Sequence, residues 1–170
     1  MPPATDLESA IRHSGEDWLI DWFDPPEEAL LHLRKTLENA NRRAQQLLGL
    51  EAFDLSEAAL VRAYNENPFK VKGFFQVLGG TRSPDMLVMV WRVIQGMEIK
   101  AVEISYGRKQ QFHARIVLES PDGAQDETYE SSKIQDFALF RHIGIMEISG
   151  RPVFDGFYAL KLTDASSKAG

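Results

Sequence analysis

Two carboxylates and a lysine in the middle of the chain could carry out metal-dependent chemistry. Asp85 follows a proline, and one residue separates Glu98 from Lys100. Carboxylate oxygens are the ligands that Mg²⁺ prefers, and a nearby lysine can stabilise the negative charge of a phosphate under attack. If these three side chains met in the fold, they could cleave a phosphodiester bond.

The letters of this set, Pro84-Asp85 followed by Glu98-Ile99-Lys100, resemble the P-D…(D/E)-x-K pattern of a large class of magnesium-dependent nucleases. The geometry of a strand argues against a metal ion shared by Asp85 and Glu98. If residues 86–95 formed a strand paired with the next one, Asp85 would lie about 26 Å from Glu98, at ~3.3 Å per residue. Only a bend or a helix there would bring the carboxylates together. A nuclease is therefore an alternative function of this chain.

A glutamate and a histidine on a predicted hairpin could act as a general base with its orienting carboxylate. A three-residue loop would place Glu103 opposite His113, whereas a five-residue loop would place Glu103 opposite Arg115. Both loops keep the apolar side chains on one face, because a shift by one residue turns every side chain over. With no nucleophile nearby, we interpret Glu103 as part of an exposed cross-strand pair, worth about 0.2–1 kcal/mol.

The remaining motifs predict neither a cofactor nor a metal site. The four histidines share no metal-ligand spacing, and the absence of cysteine excludes disulfides and cysteine-bound metals. Gly79-Gly80 lacks the Lys-Ser or Lys-Thr that completes a phosphate-binding loop. Without a convincing catalytic set, we predict a non-catalytic protein that binds another macromolecule, as an accessory, chaperone-like or inhibitor-like protein.

An acidic segment near the amino terminus carries two of the three tryptophans. Trp18 and Trp22 are four residues apart, as are Leu19 and Phe23, so one helical turn would align each pair. The candidate partner-binding residues here are Trp18, Trp22 and Phe23, which could anchor the chain in a partner. The alternative, which burial statistics favour, is that these rings pack in the protein's own core.

Charge is unevenly distributed, although the whole chain carries a formal charge of −6. Residues 62–115 contain nine basic and four acidic residues, whereas the segments on either side are acidic. A basic strip could bind the phosphates of a nucleic acid, so a non-catalytic nucleic-acid binder is a second alternative. In another interpretation, the acidic flanks fold against this strip. Its candidate partner-binding residues are Arg82, Arg92, Arg108, Lys109 and Arg115.

Residues 1–66 predict two or three helices. Asp24 and Pro25 start a helix over residues 25–48, in which apolar residues recur every three or four positions, and Gly49 ends it. A second helix begins after Asp54 as its N-cap and ends before Pro68.

Residues 67–163 predict an antiparallel meander of about six strands, followed by a flexible tail over residues 164–170. Turn residues and alternating apolar positions delimit the strands. Met86–Ile94 could instead be a helix capped by Ser83-Pro84-Asp85, and a short helix is expected at 134–141. The strands are predicted at Phe69–Leu78, Met86–Ile94, Glu98–Tyr106, Gln110–Glu119, Thr128–Ser131, Ile143–Ile148 and Pro152–Leu162.

Composition and length fit one α+β domain over residues 1–170. The chain is 44% hydrophobic and 26% charged, as globular proteins are. No apolar run is long enough to span a membrane, and Met1–Asp6 lacks the basic and apolar regions of a secretory signal. We therefore expect a cytoplasmic protein without membrane contact. Its partner is expected to be another protein, with nucleic acid as the alternative.

Overall fold

The structure is a computed structural model that describes residues 2–51, 53–106 and 112–145. These residues form seven helices and a three-stranded antiparallel sheet, so the α+β class is confirmed. In chain order the elements are α1 (Leu7–Ser14), α2 (Trp18–Asp21), α3 (Pro26–Leu48), α4 (Glu57–Glu66), α5 (Pro68–Gly80), α6 (Pro84–Ile94), β1 (Glu98–Tyr106), β2 (Phe112–Glu119), β3 (Asp126–Ser131) and α7 (Ile134–His142).

The chain divides into two compact units, residues 1–94 and a second unit that begins at Gln95. Each unit is described by itself below. The expectation of a single domain over residues 1–170 stays a prediction. None of the described helices is both long and apolar enough to cross a lipid bilayer.

The first unit begins with a well-capped helix. The Asp6 carboxylate accepts a hydrogen bond from the Ser9 amide at 2.8 Å, and the Ser9 hydroxyl accepts one from the Asp6 amide at 3.1 Å. The bond from the Ser9 amide lowers the pKa of Asp6. After α1, a helical turn that begins at Trp18 is present as α2.

The two predicted amino-terminal helices are present with small corrections at their starts. The first begins at Pro26 rather than at Pro25, which is extended and occupies the N-cap position in place of Asp24. The helix ends before Gly49, as predicted, and Gly49 adopts a left-handed conformation with φ of 68°. Ser56, not Asp54, caps α4, because its hydroxyl accepts a hydrogen bond from the Ala59 amide at 3.1 Å.

Two segments predicted as strands are helices. Phe69–Leu78 is wrong as a strand, since it lies within α5, which Asn67 caps by accepting a hydrogen bond from the Lys70 amide. Met86–Ile94 belongs to α6, the alternative that the sequence left open. Every residue from Met86 to Trp91 is buried, and a helix surrounded by core can be apolar on all faces. The helical part therefore extends to Ile94 instead of ending at residue 66.

The helices of the first unit pack around aromatic side chains. Helix α3 packs on α6, and α5 packs on both α4 and α6. The rings of Phe74 and Trp91 lie 5.6 Å apart, and those of Tyr64 and Phe75 lie 5.7 Å apart. Asn41 on α3 fixes the connection into α4, since its side chain exchanges two hydrogen bonds with the Leu55 backbone at 2.8 and 2.9 Å.

The second unit contains the sheet, in the order β1-β2-β3. Glu103 pairs with Arg115, which corresponds to the five-residue loop, and residues 107–111 of that loop lie outside the described residues. Ala114, Ile116 and Leu118 are buried, as the alternation predicted.

About six strands were predicted, and three are present among the described residues. In the predicted strand Ile143–Ile148, residues 143–145 are not extended strand, and the remainder lies outside the described residues. The predicted strand Pro152–Leu162 and the tail over 164–170 also lie outside them.

Candidate functional site

A cavity of about 620 Å³ opens on the surface of the first unit, beside α2, α3 and the junction between α5 and α6. We call it the aromatic groove. Its lining is apolar at most positions, with a histidine, an arginine and small polar side chains among them. The residues that define it here are Leu19, Trp22, Phe23, Leu33, Arg82 and Leu87.

Aromatic rings that contact each other in pairs form one wall of this groove. Trp22 contacts Trp18 edge to face, with ring centroids 4.9 Å apart and planes at 69°. Phe23 packs on His32 with centroids 5.7 Å apart. Trp18 is half-buried, whereas Trp22 is 64% exposed. The core interpretation of the tryptophans is therefore wrong for Trp22.

A buried glutamate holds this wall against α5. Glu16 is 6% exposed, and its carboxylate accepts hydrogen bonds from the Trp18 indole N–H and, at 2.9 Å, from the Gln76 side-chain amide. The same carboxylate thus ties the start of α2 to α5. In the sequence Glu16 is one acidic residue among several, so its role was missed.

Gly79 allows α2 to approach α5 closely. A Cβ added at this position would overlap Leu19 Cδ2 and would lie 2.9 Å from the Trp18 ring. The sequence singled out Gly79-Gly80 only as an incomplete phosphate-binding loop. In the structure its absent side chain is what gives Leu19 room beneath the groove.

The chain around the groove is strongly acidic. Between Ser14 and Leu33 there are six carboxylates and no lysine or arginine. Five of these carboxylates are exposed and flank Trp22 and Phe23 along the chain, and we call them the acidic collar. The collar consists of Asp17, Asp21, Asp24, Glu27 and Glu28.

The structure brings three of the eight predicted partner-binding residues into one site. Trp22, Phe23 and Arg82 all line the aromatic groove, and Trp18 supports it from behind. The other candidates lie elsewhere or outside the described residues. Arg92 is on α6, Arg115 is on β2 with its guanidinium 2.9 Å from Glu103, and Arg108 and Lys109 are outside the described residues.

The residues of the nuclease-like pattern have other contacts. The strand geometry that separated Asp85 from Glu98 is wrong, because residues 84–94 form α6. Asp85 binds Arg43 of α3, and this hydrogen bond raises the pKa of Arg43. Glu98 is exposed at the start of β1, two residues before Lys100.

Lys100 lies in a cluster of acidic residues on the sheet. Its ammonium group is 2.9 Å from Asp126 and 3.3 Å from Glu119, and hydrogen bonds to these carboxylates raise the pKa of Lys100. His113 is 3.5 Å from Glu130 instead of facing Glu103. Across the part of the chain that the structure describes, no group of three or more His, Asp or Glu is arranged to hold a metal ion.

No protein-family model, curated protein or solved structure matches the chain. A proposed function has to explain three features of this site: the cavity, the exposed tryptophan beside it and the charge around it.

Proposed function

We propose that this protein is a non-catalytic binding module that takes an apolar, basic segment of another protein into the aromatic groove. The observation that carries the proposal is the 64% exposure of Trp22 at the wall of a cavity. A large aromatic side chain beside a pocket is typical of an interface hot spot, since it buries much area with little loss of conformational freedom.

The lining of the groove fits a protein segment. Leu19, Leu33 and Leu87 provide an apolar floor for an aromatic or aliphatic side chain. Thr36 and Arg82 also line the cavity and can hydrogen-bond the backbone of a bound segment. A few polar groups in an apolar pocket orient a ligand, while the apolar contacts provide most of the affinity.

The acidic collar favours a basic protein segment over a nucleic acid. Five exposed carboxylates repel phosphate groups and attract lysine and arginine side chains. A cation beside Trp22 can also rest on the face of its indole ring. Charge complementarity therefore favours a basic occupant. It raises the association rate more than the affinity.

A binding role requires little rearrangement of the present contacts, in which Asp21 of the collar lies 3.6 Å from Arg12. For a metal-dependent nuclease, Asp85 and Lys100 would have to exchange their ion pairs for a metal ion and a phosphate. A nucleic-acid binder would use Arg115, which now pairs with Glu103. The aromatic groove, by contrast, is open and exposed as it stands.

Selection of peptides on the full chain tests the proposal. A library of short peptides displayed on phage is selected on the wild-type protein, and the enriched peptides are synthesised for titration. We expect peptides with an aromatic or aliphatic residue next to lysine or arginine. Their affinity should fall at least about tenfold on Trp22→Ala, as for a hot-spot residue.

Leu31→Ala is the matched control, because Leu31 is 54% exposed but does not line the groove. It should leave the affinity unchanged. Peptides that bind Trp22→Ala as tightly as the wild type, or an enriched set that is acidic, would contradict the proposed function.

A further inference from the structure

The helical unit carries on its own surface a segment with the chemistry that the groove is proposed to take. Phe69, in the first turn of α5, is 92% exposed. Lys70 and Lys72 on the same turn are exposed, and neither forms an ion pair with any residue that the structure describes. We call residues 68–72 the Phe69 knob. It is an aromatic anchor with basic neighbours.

The knob cannot enter the groove of its own chain. The groove is lined by Leu78, Gly79 and Gly80 at the end of α5, whereas Phe69 lies at the start of this helix. Ten residues of helix separate Phe69 from Gly79 by about 15 Å, at 1.5 Å per residue. A contact between knob and groove therefore joins two copies of the chain.

We propose that the Phe69 knob of one copy docks in the aromatic groove of a second copy. The inference rests on the proposed function, because it names an occupant of the same groove. The Phe69 ring packs against Trp22 and Phe23, and the two lysines face the acidic collar. The apolar anchor is complementary to the apolar lining of the groove, and the two lysines are complementary to the five carboxylates of the collar.

This contact joins two different surfaces, so it leaves a free knob at one end of the pair and a free groove at the other. Such head-to-tail contacts add further copies unless the arrangement closes into a ring. The contact is small, and small interfaces are weak and transient. Association should therefore rise with protein concentration and fall with salt, which screens the collar. An external segment that fits better would displace the knob.

Sedimentation velocity of the full chain tests the self-association. The wild-type sedimentation coefficient should rise between about 10 μM and about 1 mM, the range in which weak contacts form. Phe69→Asp should abolish this rise, because its carboxylate is repelled by the collar. Trp22→Ala should also abolish it. Leu31→Asp changes an exposed apolar residue outside both surfaces and should associate as the wild type does.

A mixing experiment identifies the surfaces. Phe69→Asp keeps its groove and Trp22→Ala keeps its knob, so an equimolar mixture should form a dimer that neither variant forms alone. A mixture that stays monomeric, or association of Phe69→Asp at the wild-type level, would overturn the inference. Melting temperatures show that each variant is folded. We expect no change for Phe69→Asp and a small decrease for Trp22→Ala, which loses its ring contact with Trp18. If neither the wild type nor any variant self-associates, but the selected peptides still bind Phe69→Asp, the proposed function stands and only the self-association is wrong.

Discussion

At the scale of single residues, Glu16 ties α2 to α5 beside the groove. Its buried carboxylate accepts from two neutral donors, the Trp18 indole and the Gln76 amide. A carboxylate suits this place because both of its oxygens accept hydrogen bonds, whereas an amide would point its own N–H₂ group at one of the donors. Counting the donors and acceptors therefore predicts whether a substitution at Glu16 stabilises or destabilises the protein.

Glu16→Gln should destabilise the protein by about 1–3 kcal/mol, the usual effect of a buried polar group without a partner. It should also change the tryptophan emission, because the acceptor of the Trp18 indole N–H changes from a charged carboxylate to a neutral amide. Gln76→Glu alone should destabilise as well, since it places two carboxylates side by side. Urea unfolding followed by fluorescence measures both effects.

The exchanged pair, Glu16→Gln with Gln76→Glu, is the decisive comparison. In this variant the amide at residue 16 can donate to the carboxylate at residue 76, while its oxygen accepts from Trp18. Stability should return to within about 1 kcal/mol of the wild type, because neighbouring substitutions in one network are not additive. A double variant as unstable as the sum of both single variants would refute this role for Glu16.

At the scale of elements, the approach of α2 to α5 sets the width of the groove. Gly79 lies within α5, where alanine would normally stabilise a helix by about 1 kcal/mol. An added Cβ overlaps the buried side chain of Leu19, however. Overpacking of this kind usually destabilises by about 1–3 kcal/mol.

We therefore expect Gly79→Ala to lower the free energy of unfolding by up to about 2 kcal/mol, after the gain in helix propensity is subtracted. It should also weaken binding of the selected peptides, since α2 moves away from α5. Leu19→Ala should destabilise Gly79→Ala by less than it destabilises the wild type, because it removes the overlapping atoms. A stabilising effect of Gly79→Ala would mean that α2 does not lie against α5 in this way.

The segments whose secondary structure was predicted wrongly show where local sequence patterns are ambiguous. In Met86–Ile94 the run of valines favours a strand by propensity, yet all residues from Met86 to Trp91 are buried within α6. A segment surrounded by core has no polar face, so neither the helical nor the strand period is visible in it. The α3 stripe was predictable because one face of that helix remains in solvent.

At the scale of the whole molecule, helices of the first unit pack against one another. Helix α3 packs on α6, and Phe74 of α5 contacts Trp91 of α6, all within residues 1–94. We expect a fragment of residues 1–94 to be helical and to unfold in one cooperative thermal transition, followed by circular dichroism. A fragment that ends at Gly80 lacks α6 and should lose this cooperativity. A non-cooperative transition in the longer fragment would contradict its independence.

The sequence by itself determined the α+β class, the extent of α3 and the antiparallel pairing of β1 with β2, because local capping, periodicity and alternation suffice for these features. The register of that pair was left open and is decided by the structure. The sequence also singled out Trp22, Phe23 and Arg82 as residues that could bind a partner. Only the tertiary structure decided that these three line one cavity and that Trp22 is exposed, since both depend on contacts between segments far apart in the chain. The same holds for Gly79 and Glu16, whose roles arise from the packing of α2 on α5. Local sequence patterns do not predict such a contact, because it exists only when the helices pack against each other.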